Sequence, residues 1–448
     1  MVTPGLVPLS EAFESQEKSV SLFTIGVVAL WTTIGGHITV AGSDIWGRRP
    51  FYVVSLGVLA FANLLASVTL SLPSLVIMRA VSGLASAPFL LLTPASVADV
   101  FFAHERGTFL AALVAASYGG GQLGIVIAGF IVQAVGVSAL FKISAAAYAA
   151  LFVAAYFYLL ETAPFRRGTP GCGNKHEDNL DLASEKPSGS HRESSQPQSS
   201  SRRIVFVRRL SNKSFVKGLI EPFLLLVFPA VAYSVIVFGV FLTLVISLPV
   251  LVVQIVGEPP YKLPTVQAGL VCLPLAVISV IGGPSVGALM DVSARFMAGR
   301  NKDIKGGLEP EFRLTTLLVC GPLTTGGLVG LSVSTSSRLP LHWVLFWLCV
   351  TYLGSMWTTQ AVLVYVVDCL PALTGQTFTL INLSAAIGIF VASDGLVRWE
   401  LSSGTSTVCD DLAILSGLIL LPTLPMYVFG KRIRGKLARS KWTPSVYP

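Results

Sequence analysis

The chain has 448 residues, of which 53% are hydrophobic and only 12% are charged, and it carries a net charge of +8. Soluble domains average about 25% charged residues, so this composition favours a polytopic membrane protein. The basic residues fall mainly between apolar runs and in the C-terminal tail, which indicates membrane topology rather than a nucleic-acid-binding face. The six cysteines lack the spacing of a zinc site, and GxSxG, P-loop and HExxH motifs are missing from the sequence. We therefore expect no metal, no cofactor and no enzyme activity.

Eleven apolar runs approach or exceed the ~20 residues that a helix needs to cross ~30 Å of hydrocarbon. Five of them precede a polar segment and six follow it. The predicted spans are 20–41, 51–70, 75–102, 108–132, 137–160, 219–253, 265–290, 313–334, 341–367, 373–396 and 411–430. The sixth is unusually long, and Pro222, Pro229 and Pro249 predict kinks or an end that leaves the membrane.

The domain organisation follows from these spans and from the basic loops. Short cytoplasmic loops carry the excess of Lys and Arg, and this places the loop after the first span on the cytoplasmic side. We expect residues 20–164 and 217–430 to form two membrane halves, joined by a disordered cytoplasmic linker at 165–216. Residues 1–19 are expected to be an extracellular remnant, and residues 431–448 a basic cytoplasmic tail.

Charged residues at span ends suggest a conformational latch. Aspartate stands four residues before arginine after the first span and again after the seventh, and further aspartates close two other spans. Such ordered matches indicate an internal repeat of two halves. The latch residues predicted from this pattern are Asp44, Arg48 and its neighbour Arg49, Asp99, Asp291, Arg295 and Asp368. The alternative is that these basic loops only set the topology.

Few charged residues lie within the predicted spans. Arg79 and His37 are candidates for proton coupling or anion binding, although a snorkelling arginine and a packed histidine are the simpler interpretations. The substrate-cavity candidates are Gln122, Tyr233, Tyr352, Trp357 and Gln360. Aromatic residues in membrane helices also serve packing and interface belts, so this role has an alternative as well. Since the sequence places no carboxylate at mid-depth in a span, a dedicated proton-carrying acid is not evident.

Several motifs together carry a family resemblance. They are Asp44-x-x-Gly47-Arg48-Arg49-Pro50, Arg79-x-x-x-Gly83, Asp99 with His104-Glu105-Arg106-Gly107-Thr108, Gly299-Arg300-Asn301 with Glu309 to Leu314, and Tyr365-x-x-Asp368 with Asn382. The chain resembles the major facilitator superfamily, in particular its fungal drug:proton antiporter branch, whose members have twelve helices. The resemblance implies an all-α fold of two helical bundles, alternating access, and a substrate cavity that includes Asn382. It also implies that Gly47 and Arg106 belong to the latch.

This sequence also departs from the family pattern. Only Thr3 to Ser10 resembles the family's first helix, and Val40 and Ile45 replace residues of its first cytoplasmic motif. The family's glycine-proline pattern in helix 5 has no proline here. We expect the gene model to start late; the alternative is a decayed copy that no longer transports.

The function expected from this resemblance is proton-coupled secondary transport of a drug, cation, polyamine or metabolite. The alternative is a degenerate, non-transporting or ligand-sensing membrane protein. The expected partners are a small-molecule substrate and the lipid bilayer, without nucleic acid. We expect a monomer in the plasma membrane, with the vacuolar membrane as the second choice.

Overall fold

The structure is a computed structural model that describes residues 25–68, 71–100, 106–161, 215–257, 261, 263–300, 310–370 and 373–438. Within these ranges the regular elements are all helices, and none of the described residues forms a strand. The prediction of an all-α membrane fold is therefore confirmed. The predicted N-terminal remnant at 1–19 lies outside the described residues, as do most of the linker and of the tail.

The first half of the chain forms six helices. They are α1 (Val27–Trp46), α2 (Arg49–Val68), α3 (Leu72–Leu91), α4 (Thr93–Val100), α5 (Arg106–Val135) and α6 (Val137–Tyr158). Within this half α1 packs against α3, and α2 packs against both α3 and α6. The apolar clusters here are small, because many large side chains of these helices point outward. An outward-facing apolar surface is what a lipid environment requires of a helix bundle.

The second half forms nine further helices and two 3₁₀ turns. They are α7 (Phe215–Leu224), a 3₁₀ turn (Leu225–Val227), α8 (Pro229–Gly257), α9 (Thr265–Leu270), α10 (Leu273–Arg300), a 3₁₀ turn (Pro310–Thr316), α11 (Leu317–Ser336), α12 (Leu341–Cys369), α13 (Thr374–Ser403), α14 (Thr405–Leu420) and α15 (Thr423–Ala438). The largest apolar core lies in this half, where α12 is the most buried of the candidate spans.

Ten helical segments among the described residues are long and apolar enough to cross a membrane. The first predicted span, 20–41, is described only from residue 25 on, and its apolar run Val27–Ser43 is shorter than the other ten. A helix pair counts as one span where only a one- or two-residue break separates the two parts, as at Leu92 between α3 and α4. The integral multi-pass character is confirmed, whereas the predicted total of eleven is not.

The long sixth span breaks at one of the three predicted prolines, Pro229, while Pro222 lies inside α7. α7 ends at Leu224, and after the 3₁₀ turn Phe228 adopts an extended conformation before Pro229 begins α8. Proline favours the first turn of a helix because its missing N–H needs no partner there. The predicted start of the second half at residue 217 therefore falls inside α7, and Pro249 is accommodated within α8.

Two other boundaries differ from the predictions. α10 continues to Arg300, so Asp291 and Arg295 lie on a helix rather than in a loop. The last span divides at Leu421–Pro422, and α15 continues to Ala438, beyond the predicted start of the tail at 431. Sequence hydropathy could not reveal these extensions, because a helix can continue past the apolar region once its end is polar and solvated.

Candidate functional site

The connection between α1 and α2 lies at one end of the bundle, which we call the basic end because Arg48 and Arg49 lie there. Glu161, three residues past α6, reaches this connection. Its Oε1 accepts the backbone N–H of Arg48 at 2.9 Å, and its Oε2 accepts that of Arg49 at 3.1 Å. These N–H groups lie at the N-terminal end of α2, where backbone N–H groups have no intrahelical partner. A carboxylate there is stabilised by both hydrogen bonds and by the positive end of the helix dipole.

Gly47 permits this arrangement. Its φ of 89° and ψ of 174° lie in a region that is essentially restricted to glycine. A Cβ at position 47 would also come within 2.6 Å of Glu161 Oε2. The glycine of the predicted latch motif therefore fulfils two requirements, a left-handed backbone and space for a carboxylate.

The two arginine side chains extend the contact to further helices. Arg48 Nη1 donates to Ser96 Oγ on α4 at 3.3 Å, and Arg49 Nη2 donates to the carbonyl of Tyr156 on α6 at 2.8 Å. Both arginines are buried. Buried cations require such acceptors. This set of contacts, which we call the first latch, joins the α1–α2 connection to α4 and α6. The side chains of Asp44, Asp99 and Arg106 lie outside the described residues.

A second latch occupies the corresponding place in the second half. Arg313, in the 3₁₀ turn before α11, donates from Nε to Asp368 Oδ2 at the end of α12. Its Nη1 also lies 3.9 Å from Asp291 Oδ1 on α10. Arg295 instead donates to the backbone carbonyl of Asp291 within its own helix, at 3.1 Å. The cation that brings the two predicted aspartates together is thus Arg313, which the sequence pattern did not single out.

A buried carboxylate accompanies the second latch too. Glu311 is 2% exposed, and its Oε1 lies 2.9 Å from where a Cβ would stand at Gly430 of α15. Glu161 relates to Gly47 in the same way. Each half therefore has a glutamate that packs closely against a glycine. In both cases this contact joins the segment that carries the latch arginine to the last helix of that half or to the residues directly after it.

The two halves meet along two helix pairs, which we call seams. In the first seam α1 packs on α13, where Thr33 Oγ1 donates to the carbonyl of Asn382 at 3.4 Å. In the second seam α5 packs on α10, and a Cβ at Gly119 would lie 3.0 Å from Val280. Small residues allow such close backbone approach between membrane helices.

Polar side chains meet at mid-length of the second seam. Gln122 Nε2 on α5 donates to Tyr352 Oη on α12 at 3.1 Å, and Ser279 Oγ on α10 lies 3.2 Å from the same oxygen. Tyr118, one turn before Gln122 on α5, approaches the side chains of Thr359 and Gln360 on α12. We call these six residues the seam cluster. The structure thus brings Gln122, Tyr352 and Gln360 of the predicted cavity together.

One acceptor of the seam cluster has no partner. Gln122 is 6% exposed, and its Oε1 is buried without a hydrogen-bond partner. An unsatisfied buried oxygen costs roughly 1–3 kcal/mol. The cluster can therefore accept a hydrogen bond from a ligand that enters the seam.

The other predicted cavity residues have more local partners. Trp357 Nε1 donates to the carbonyl of Gly282 on α10 at 2.9 Å, which keeps it beside the seam cluster. Asn382 Nδ2 donates to Phe378 O within α13. Tyr233 lies apart from the cluster, because its hydroxyl shares a 2.6 Å hydrogen bond with Thr423 and its ring packs edge-on against Tyr365.

Arg79 and His37 have different surroundings. The Arg79 guanidinium lies 4.5 Å from the ring centre of Phe141 on α6, and its buried Nε has no hydrogen-bond partner. The arginine therefore faces a neighbouring helix of the bundle and is held by a cation–π contact. His37 Nδ1 is 2.9 Å from the carbonyl of Thr33, and its ring stacks on Phe223 of α7. Its Nε2 is buried without a partner.

Comparison with known proteins decides the family. The sequence profile described as Major Facilitator Superfamily matches residues 1–393. The chain belongs to the Major Facilitator Superfamily. A human member of known structure, the organic anion transporter MFSD10 (TETRAN), superposes with a TM-score of 0.56 over 93% of this chain and 89% of its own. At 16% identity this likeness concerns the fold alone.

Relatives in the superfamily are fungal transporters. MFS transporter cpaT of Aspergillus oryzae is 25% identical over 97% of this chain and 84% of its own length. Protein HOL1 of Saccharomyces cerevisiae is 30% identical over 40% of this chain, and the match spans only 30% of HOL1. Polyamine transporter 3 of Saccharomyces cerevisiae is 35% identical over 26% of this chain and 18% of its own length. Members of the superfamily are transporters rather than enzymes, which confirms the expectation of no enzyme activity.

Sequence reasoning did not assign Glu161, Glu311 or Arg313 to the two latches of this superfamily member, although Glu311 and Arg313 lie within a motif of the family resemblance. In the sequence, Glu161 is only the polar residue that ends a span. Its partners are backbone N–H groups, which no residue pattern can reveal. Arg313 lies 22 positions after Asp291, so no helical spacing links the two. Tyr118 and Ser279 resemble ordinary polar residues of membrane helices until α5, α10 and α12 are brought together.

Proposed function

We propose that this chain is a secondary transporter that moves a small organic molecule across a membrane by alternating access, with a proton gradient as the energy source. The observation that carries the proposal is the seam cluster, because it places hydrogen-bonding side chains of both halves around one point of their contact. Sites at the interface of two repeats are the usual binding sites of secondary transporters.

The latches support a rigid-body motion. The first latch joins the α1–α2 connection to α4 and α6, while the second joins α10 and α12 through the turn before α11. Each of these latch contacts joins elements of the same half. Each half can therefore rock as a unit, while the seams between α1 and α13 and between α5 and α10 open at one end or the other. The basic end is proposed as the cytoplasmic end, because of its arginines.

The chemistry of the seam cluster bears on the substrate. The six residues of the seam cluster offer phenol, hydroxyl and amide groups, and none of these six residues carries a carboxylate. A polyamine carries several ammonium groups, which are bound best by carboxylates. The cluster therefore favours an uncharged or weakly charged molecule with hydrogen-bond donors over a polyamine.

His37 is proposed as the proton carrier. A hydrogen bond to the carbonyl of Thr33 assigns the ring proton to Nδ1, which leaves the lone pair of Nε2 free to accept a second proton. Histidine side chains commonly serve as proton shuttles in proteins. Arg79 is proposed to influence this step only at a distance, because it faces α6.

Purified full-length protein in proteoliposomes tests the function. A trapped pH-sensitive dye reports proton movement when spermidine, rhodamine 6G or the uncharged inhibitor cycloheximide is added under an imposed pH gradient. We expect proton flux with an uncharged or weakly charged compound and none with spermidine. Binding of a compound without transport of any kind would support the alternative of a non-transporting membrane protein.

A histidine variant separates coupling from translocation. In H37Q we expect uphill transport to disappear, while counterflow of labelled against unlabelled substrate persists, because exchange needs no net proton movement. Retention of proton-driven accumulation in H37Q would remove His37 from the coupling step.

The cellular location and assembly state are proposed together. We place the protein in the plasma membrane. We also propose that it is a monomer, because the helices of both seams come from one chain. A fluorescent fusion that labels the vacuolar membrane instead would overturn the location. Light scattering of the detergent-solubilised protein that gives twice the chain mass would overturn the assembly state.

A further inference from the structure

α7 is not needed to cross the membrane. α8 alone has 29 residues, which gives about 43 Å of helix and exceeds the ~30 Å of the hydrocarbon core. α7 is a separate ten-residue helix that ends in a 3₁₀ turn and an extended residue, Phe228. Its position must therefore be explained by what it contacts.

α7 packs against α1 and α13, which belong to different halves. It runs antiparallel to α1, and three contacts fix the register. Phe215 faces Trp46 with ring centres 6.2 Å apart, Gly218 faces Ala41, and Phe223 stacks on His37 with ring centres 5.6 Å apart. α7 thus covers the last three turns of α1 at the basic end.

These contacts coincide with the basic end of the first seam. Val40 of α1 lies 4.0 Å from the Cβ position of Gly375, near the start of α13. The next residue, Ala41, lies 3.5 Å from the Cβ position of Gly218 on α7. Val40 therefore contacts α13 directly, while its neighbour Ala41 contacts α7, which in turn packs on α13.

We propose that α7 is a wedge that holds the basic end of the α1–α13 seam closed. Opening the transporter towards that end separates α1 from α13, so α7 must release at least one of them. Its release also uncovers His37, whose ring is 9% exposed while Phe223 lies on it. Closure of the seam and shielding of the histidine then depend on the same helix.

The wedge is connected to the part of the chain between the two halves. α7 begins at Phe215, directly after residues 162–214, which follow α6. That segment is strongly polar and carries Arg208, Arg209 and Lys213 just before α7. A force or a binding partner acting on the C-terminal end of the segment would act directly on α7.

This inference rests on the proposed alternating access, but its test needs no substrate. The first experiment uses the A41C/G218C double variant in native membranes, with a protease site inserted in residues 165–214. Positions 41 and 218 lie on opposite sides of that site. A Cβ separation of about 3.5 Å suits a disulfide. We expect oxidation to keep the cleaved halves joined until reductant is added. The single variants and A41C/I220C, whose second cysteine replaces the exposed Ile220, should fall apart.

The second experiment measures opening of the seam. Thr33 is 2% exposed and lies on the seam, so T33C reports access from the basic end to a membrane-impermeant maleimide in inside-out vesicles. We expect F223A to accelerate labelling of T33C about tenfold, equivalent to ~1.4 kcal/mol. L224A removes a neighbouring side chain that is 64% exposed and should leave the rate unchanged. Protein without T33C gives the background.

The outcomes are distinct from those of the transport test. Absence of the A41C/G218C disulfide in well-expressed protein would show that α7 does not lie on α1 and would overturn the proposal. A disulfide combined with equal labelling in F223A and L224A would make α7 a packed helix that does not hold the seam, which also overturns it. Neither readout requires a transported substrate, so failure of the transport test leaves both measurements possible.

Discussion

The carboxylate of Glu161 occupies the space that a side chain at Gly47 would need. Glu161 Oε2 lies 2.6 Å from the Cβ position of residue 47, and both carboxylate oxygens bind the backbone at the start of α2. The glycine of the latch motif and the glutamate past α6 are therefore two parts of one contact. This contact, rather than charge pairing alone, holds the α1–α2 connection against the last helix of the first half.

Substitution of Gly47 by alanine should destabilise the protein through two separable effects. The glycine-only backbone conformation costs a residue with a Cβ about 1–3 kcal/mol, and the new Cβ must displace Glu161. G136A provides the matched control, because Gly136 has nearly the same backbone angles, φ 91° and ψ 172°, and an empty Cβ position.

Thermal unfolding in detergent measures both variants. We expect both midpoints to fall, and that of G47A to fall by about 2 °C or more beyond that of G136A. Equal shifts would mean that the Glu161 carboxylate moves aside freely and that only the backbone strain matters.

Glutamine at position 161 should weaken the first latch while keeping its shape. A carboxamide has one acceptor oxygen, so it can accept from one of the two N–H groups and presents its own donors to the other. The interaction with the helix dipole is lost as well, at roughly 0.3–1 kcal/mol. We expect a lower unfolding midpoint for E161Q.

A double-mutant cycle tests whether the latch is one unit. In E161Q/G47A the destabilisation should be smaller than the sum of the single effects, because both changes break the same contact. E400Q serves as the control, since Glu400 accepts from Thr405 near the far end of α13. Additive effects of E161Q and G47A would separate the two residues.

The second latch should affect conformation more than stability. Arg313 and its two aspartates are partly exposed, at 24%, 61% and 35% for Arg313, Asp291 and Asp368. Exposed ion pairs contribute only about 0–1 kcal/mol. For R313Q we expect a small shift of the unfolding midpoint but faster labelling of T33C from the basic end, because α10 and α12 no longer move together.

R295Q is the matched control for R313Q. Arg295 is exposed, and its Nε donates to the carbonyl of Asp291 within its own helix. It should behave like the unmodified protein. The effect of R313Q should also shrink at 1 M salt, where exposed charges are screened within ~3 Å. Equal behaviour of R313Q and R295Q would remove the second latch from the conformational change.

The sequence predicted the helical fold well because hydropathy over twenty residues is a local property. Pro229 also indicated the break in the sixth span, since proline acts on its own turn of helix, whereas Pro222 lies inside α7. The extension of α10 to Arg300 escaped prediction, because nothing local ends that helix at the membrane boundary.

The latches and the seam cluster could be predicted only in part. Asp291 and Asp368 were identified from a repeated pattern, whereas their shared partner Arg313 depends on how three segments pack. Tyr352 and Gln122 were named separately, and only the folded structure shows that they bond to each other. Tyr233 was also named as a cavity residue because of its residue type. In the structure it lies in the core of the second half, where its hydroxyl bonds to Thr423.

Removal of single tyrosine hydroxyls should distinguish the seam cluster from that core. Y352F removes the oxygen that accepts from Gln122, so the Gln122 side chain loses its partner at about 1–3 kcal/mol unless a ligand supplies one. Y233F removes the bond to Thr423, away from the seam. We expect both variants to unfold at lower temperature. Only Y352F should change the KM for transported substrate, by roughly tenfold, with its Tm partly restored by substrate. A KM change in Y233F of the same size would place the binding site in the second half rather than at the seam.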